Sequence, residues 1–289
     1  MSLLIESPLI ETAWLQEHLG DPNLRIIDCS VAGQPNKDGT YVFFPQFEEW
    51  KTGHIPSSVF VDIPEQLSDK DSAIGLMMPP PEVFASILKN LGIGDGNAVV
   101  LYDRTNNAWA ARVWWMLRVC GFDNAAVLNG GWNKWKGEGL DIEEGVVEYP
   151  PAKTFTLHPR PELMADKNRV LNSIGASDVT LLHSLPLPMF TGEVSPYARP
   201  GRITGSKNLS CESIVDPESH CYLDLETIRT MAEDTGVLGS EQVITYCGGG
   251  IAASSTALAL TLLGVKNLAV YDGSLSEWAT DPDLPMETG

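Results

Sequence analysis

The apolar positions of this chain fall into short continuous runs separated by longer stretches of helical period. Ala98-Val99-Val100-Leu101-Tyr102 and Val243-Ile244-Thr245-Tyr246 have the length and β-branched content of fully buried strands. Each follows an amphipathic stretch, Pro81 to Gly92 and Leu225 to Gly236, that predicts a helix closed by its glycine. Leu24-Arg25-Ile26-Ile27-Asp28 and Val179-Thr180-Leu181-Leu182-His183 predict an opening strand in each half. After the last run, Ala252 to Leu263 is rich in Ala and Leu and predicts a helix stopped at Gly264. Short apolar strands alternating with helices imply parallel strands joined by right-handed crossovers.

The order of these elements occurs twice. Shifted by 144 residues, the first helix–strand pair falls on the second, and Asp103 falls on Cys247. Gly121 to Gly131 aligns with Gly264 to Ser274, and Trp135 with Trp278, at a shift of 143, so the loop after Asp103 is one residue longer. Gly53-His54-Ile55-Pro56-Ser57-Ser58 aligns with Gly201-Arg202-Ile203-Thr204-Gly205-Ser206 as a turn into a further strand. Between the copies, Glu148 to Pro161 reads as a Pro-rich extended linker, and Met77-Met78-Pro79-Pro80-Pro81 as a smaller break. The expectation is an α/β chain of two tandem units, residues 1–147 and 162–289, with 148–161 as linker. Each unit is a mainly parallel sheet flanked by helices.

Composition narrows the function. A chain of 289 residues with formal charge −19 argues against nucleic acid or an anionic membrane surface as partner. An anionic ligand would need local Arg, Lys or backbone N–H donors. No run approaches the roughly 18 apolar residues of a membrane span, and the start, Met1 to Glu6, lacks the basic and apolar regions of a signal peptide. Cysteines 29, 120, 211, 221 and 247 make an odd number without metal-site spacing, which fits a reducing cytoplasm; no metal or organic cofactor is expected. Cys29 and Cys120 read as small core residues. The oligomeric state is not legible.

The candidate chemistry is in Tyr246-Cys247-Gly248-Gly249-Gly250-Ile251-Ala252. A cysteine stands where a strand stops, and three glycines lead into a helix start. Glycine backbone can curl its N–H groups inward, and the helix dipole adds positive potential at the loop. A thiol there should ionise more readily than the free value of about 8.5 allows, and an anionic persulfide would suit the same cradle. The alternative from the residues alone is a buried structural cysteine beside a turn.

This stretch resembles the active-site loop of the rhodanese-like sulfurtransferases, in which a cysteine precedes a five-residue cradle and a helix; here these are Cys247 and Gly248, Gly249, Gly250, Ile251 and Ala252. The Cys-Gly-x-Gly opening is closer to the mercaptopyruvate branch than to the thiosulfate branch. Related phosphatases have a loop one residue longer ending in Arg, where this chain has Ala253. The resemblance covers essentially the whole chain and implies an inactive first unit, with Asp103 at the cysteine position. It implies transfer of a sulfane sulfur from a small anionic donor, thiosulfate or 3-mercaptopyruvate, through a Cys247 persulfide to a thiol, cyanide or sulfite. The rival is a persulfide carrier or sensing module serving a protein partner. The family's first-unit histidine matches His54, and Arg199 is the nearest match to a substrate-binding arginine. The pattern is broken at Gly249, where a relay serine is expected, and at Met189, where another arginine is expected. Arg112 matches a structural arginine of the Ala-Arg-x-Trp-Trp helix.

Overall fold

The two halves of the chain build the same sheet twice. A computed structural model describes residues 3–36 and 41–289. In the first half, β1 (Leu9–Ile10), β2 (Leu24–Asp28), β3 (Ser58–Phe60), β4 (Ala98–Tyr102) and β5 (Ala125–Leu128) lie in the order β1-β5-β4-β2-β3, all pairs parallel. In the second, β6 (Met164–Ala165), β7 (Val179–His183), β8 (Lys207–Asn208), β9 (Gln242–Tyr246) and β10 (Leu268–Tyr271) repeat it as β6-β10-β9-β7-β8, again parallel. The predicted helices span Pro81–Asn90, Leu225–Thr235 and Ile251–Leu262. Gly92, Gly236 and Gly264, with φ of +79°, +77° and +87°, turn the chain out of them in the left-handed region.

Both central strands are covered on two faces, which is why they are apolar without alternation. Val100 and Tyr102 of β4 pack outward with Leu15, Ile26 and Trp135, while Val99 and Leu101 face the molecule's centre. In β9, Ile244 and Tyr246 face outward with Trp278, while Val243, and Cys247 just past the strand, face inward. The buried phenols repeat too. Tyr102 Oη lies 2.9 Å from Ser58 Oγ and Tyr246 Oη 2.8 Å from Ser206 Oγ, so each tyrosine anchors the turn aligned in the sequence.

One apolar cluster spans the two halves. At its centre the helix Ala108–Val119, bulky with Trp109, Trp114 and Trp115, packs on Ile251–Leu262, whose buried face carries Ala253, Ser254 and Ala257. This contact joins the helices that follow β4 and β9. Residues 148–161 lie along the first half: Phe155 stacks on Phe122 with centroids 5.5 Å apart, and His158 N–H donates to the Cys120 carbonyl.

An antiparallel hairpin, Val31–Pro35 with Tyr41–Pro45, was not foreseen from the pattern. It leaves Tyr41 and Phe44 exposed and sets Phe43 edge-on to Trp109, with centroids 5.4 Å apart. Among the described residues no helix is long and apolar enough to cross a membrane. The five cysteines are unpaired. Cys29 and Cys120 are core residues, and burial pushes the Cys120 thiol up to about 12.

Candidate active site

Cys247 follows the central strand β9 and is only 2% exposed. Its N–H donates to Ser274 Oγ at 3.0 Å, and its carbonyl accepts from Leu275 N–H, so the loop is fastened to the next helix, Ser274–Trp278. The three glycines differ in what demands them. Gly250 has φ of +81°, and a Cβ on it would lie 2.6 Å from Asp272 Oδ1 and 2.7 Å from Arg112 Nη1. At Gly248 a Cβ would meet Tyr197 Oη at 2.0 Å. Gly249 faces open space, its nearest neighbour being the Gly75 carbonyl at 3.9 Å from such an atom.

The first half shows what a filled version of this loop looks like. Asp103 Oδ1 accepts from Thr105 N–H at 2.8 Å, Thr105 Oγ1 at 2.9 Å and Asn107 N–H at 3.1 Å. Its Oδ2 accepts from the N–H groups of Trp109 and Ala110, both at 3.0 Å. An anionic side chain thus occupies its own loop and helix start. In the second half the corresponding helix start is Ala252 and Ala253, and among the described residues no acceptor is found for the N–H groups of residues 249 to 253. Asn107, at φ of 66°, takes the left-handed angle that Gly250 takes in the other copy. The first loop therefore reaches the same backbone angle without glycine; asparagine is among the side chains that tolerate that region.

Each half also lends a segment to the other's loop. Leu76, at φ of 65°, accepts from Arg112 Nη2 at 3.0 Å, and Met78 N–H donates to Asp272 Oδ2 at 2.7 Å, beside Gly250. In mirror fashion His220, at φ of 59°, accepts from Asn107 Nδ2, and Tyr222 N–H donates to Asn129 Oδ1 at 2.9 Å. Arg112 is thus more than a support of its own helix. It crosses between the halves to Asp272, with Nη1–Oδ1 at 2.6 Å and both side chains almost wholly buried.

The other cationic candidates are committed elsewhere. Arg199 donates to the carbonyls of Trp278, Ala279, Asp281 and Leu284 at 2.5 to 3.1 Å, which uses up most of its donors on one loop. Those bonds favour a tie over a donor-binding group. Arg202 pairs with Glu287 at 2.9 Å and lies over the Phe190 ring. His54 is buried with Nδ1 at 2.8 Å from the Trp50 carbonyl, its ring stacked on Trp50 and its backbone paired with Glu143. Its contacts are those of a turn residue of the first half, and none joins it to Cys247. Met189 sits in the short helix Leu187–Thr191.

His183 ends the strand beside β9, paired with Tyr246. Burial pushes its imidazole down to about 4, with Leu185 N–H donating to Nδ1 at 3.4 Å and Arg202 nearby. Sequence reasoning missed Tyr197 and Asp272. The first had no signal, while Asp272 could have been found as the partner of an internal arginine in the repeat.

With this geometry in view, comparison with known proteins is specific. The rhodanese-like domain model matches residues 11–138 and 191–281. The chain is 35% identical to the 3-mercaptopyruvate sulfurtransferase of Escherichia coli strain K12 over 278 residues, 95% of each chain. It is 29% identical to the thiosulfate sulfurtransferase of Gallus gallus, over 93% of this chain and 92% of that one. The crystal structure of SseA from Escherichia coli superposes with a TM-score of 0.82 at 32% identity, covering 93% of this chain and 98% of the other.

Proposed function

This chain belongs to the rhodanese-like family, and on that premise we propose that it is a sulfurtransferase working through a persulfide on Cys247, with a sulfur donor and an acceptor as its two substrates. The observation that carries the proposal is the filled loop of the first half. There a side-chain anion at the position equivalent to Cys247 collects four backbone N–H groups and a hydroxyl. The same backbone around Cys247 keeps its donors without acceptors, as a site for charge that comes and goes requires.

The chemistry divides into two displacements. The Cys247 thiolate attacks the outer sulfur of the donor; an S–S bond forms, and the donor's bond to that sulfur breaks with its electron pair leaving on the released anion. An acceptor thiolate, cyanide or sulfite then attacks the outer sulfur, and the pair of the broken S–S bond returns to Cys247. The N–H groups of Gly248, Gly249, Gly250, Ile251 and Ala252 are the proposed cradle. Thiosulfate and 3-mercaptopyruvate, the donors in the relatives' names, are the first candidates. We place the units at 1–147 and 162–289, and unpaired thiols suit the cytoplasm.

Arg199 we assign to holding the loop before Gly201, and His54 to the first turn. That commitment of the nearby cations favours, as a second reading, a carrier that passes its sulfur to a protein with little turnover on small donors. The test is mass spectrometry after incubation with each donor, beside steady-state transfer. Wild type should gain one sulfur on Cys247 and Cys247→Ser none. Retained transfer by Cys247→Ser would falsify the proposal, and a persulfide without turnover would select the carrier.

A further inference from the structure

We propose that the Tyr197 hydroxyl is the side-chain donor of the Cys247 cradle, hydrogen-bonding the anionic sulfur carried there in place of the serine that Gly249 lacks. The inference rests on the sulfurtransferase reading and deepens it by naming a further site residue. Its ground is a close approach: a Cβ on Gly248 would lie 2.0 Å from Tyr197 Oη and 2.9 Å from Cζ, so the hydroxyl end of the ring abuts the loop. That hydroxyl makes no hydrogen bond to a described residue, and the residue is half-buried.

The backbone that presents it is pinned on both sides. Tyr197 N–H donates to Ser195 Oγ at 3.1 Å, and Arg199, two residues on, is tied by its guanidinium to four carbonyls of residues 278 to 284. A donor held in place without a side-chain or backbone partner is available to a group that arrives later. Burial first, and then the neighbouring charge of Cys247, push the phenol well above its ordinary range. It therefore keeps its proton throughout and acts as donor, never as base. In the first displacement it steadies the thiolate and then the persulfide; in the second it meets the thiolate as the electron pair returns.

The test is Tyr197→Phe, which keeps the ring and removes only the oxygen. The alkylation rate of Cys247 by iodoacetamide, followed across pH by mass spectrometry of the Cys247 peptide, should fall about tenfold below the wild-type midpoint, with the midpoint moved up by about one pH unit. Single-turnover transfer from the preloaded persulfide should slow by a similar factor. Adding Gly249→Ser to Tyr197→Phe should restore part of both, because position 249 has room for a side chain. In the wild type, alkylating Cys247 should also shift tyrosine near-UV absorbance, a reading that needs no variant. An alkylation profile of Tyr197→Phe that superimposes on wild type overturns the inference. Alkylation requires no donor, so a protein that never takes up sulfur would sink the sulfurtransferase reading while leaving this result to stand or fall by itself.

Discussion

Replacing Asp272 by Asn tests whether the two halves are locked at the active-site loop by charge. Arg112 and Asp272 approach to 2.6 Å with side chains 1% and 4% exposed, yet the approach is off the axis of a good hydrogen bond. At an effective dielectric of about 20 the Coulomb attraction at that distance is roughly 6 kcal/mol, much of it offset by desolvation. Asparagine keeps an acceptor for Met78 N–H but strands the guanidinium, which costs about 3–5 kcal/mol for a buried charge. The melting temperature should fall by about 6 to 20 °C. The aligned pair in the other copy, Ser255 and Asn129, has no charge to strand, so Arg112→Met with Asp272→Asn should recover at least half of the loss. The assay is a double-mutant cycle by thermal melting, with persulfide loading read in parallel because Gly250 rests against both side chains. An Asp272→Asn protein melting within about 2 °C of wild type would refute the reasoning.

Arg199→Ala should lower kcat/KM for every donor to a similar extent and cost about 2–4 kcal/mol of stability, since its charged bonds hold the loop; a change in donor KM alone, with melting unchanged, would return Arg199 to the substrate. His183 is held neutral by burial, with its pKa pushed down to about 4 from an unfolded value of about 6.5, so the unfolded chain binds the proton first as pH falls. The stability this group supplies is whole above about 6.5 and drains away toward 4, by about 3 kcal/mol, and His183→Asn should lose less stability than wild type between pH 7.5 and 4.5 in urea titrations.

Strands covered on both faces announce themselves as unbroken apolar runs, so the two sheets and their repeat were legible from residues such as Ala98–Tyr102. The candidate cysteine was legible because strand, thiol, glycines and helix start are consecutive. The reasons for individual glycines were not. Gly248 answers to Tyr197, and Gly250 to Arg112 and Asp272, partners far away along the chain that only the fold brings near. The hairpin stayed hidden because Tyr41 to Phe44 is a continuous apolar run left exposed, so it shows no alternation, and its partner strand contains Gly33 and Pro35. Arg199 is ambiguous in the sequence for a physical reason: a guanidinium suits several carbonyls of one loop as well as it suits an anion, and sequence cannot tell these acceptors apart.

The two copies diverge in what their shared loop is permitted to hold. In the first, the Asp103 carboxylate is a permanent occupant whose charge-assisted bonds are each worth about 1.5–3 kcal/mol. Such a loop is structural, and Arg104 beside it is likewise fixed, on Asp28 and the Gly53 carbonyl. In the second, Cys247 leaves comparable donors unoccupied and forgoes that stabilisation, a trade expected where activity requires an unfilled site. The deficit is met from outside the loop. Ser274 and Leu275 hold it from below, while Met78 and Arg112 reach across to Asp272 from the half whose own loop is already satisfied. The half that carries Asp103 thus supplies contacts to the loop of the half that carries Cys247, where no side-chain anion of the loop itself gathers the backbone donors.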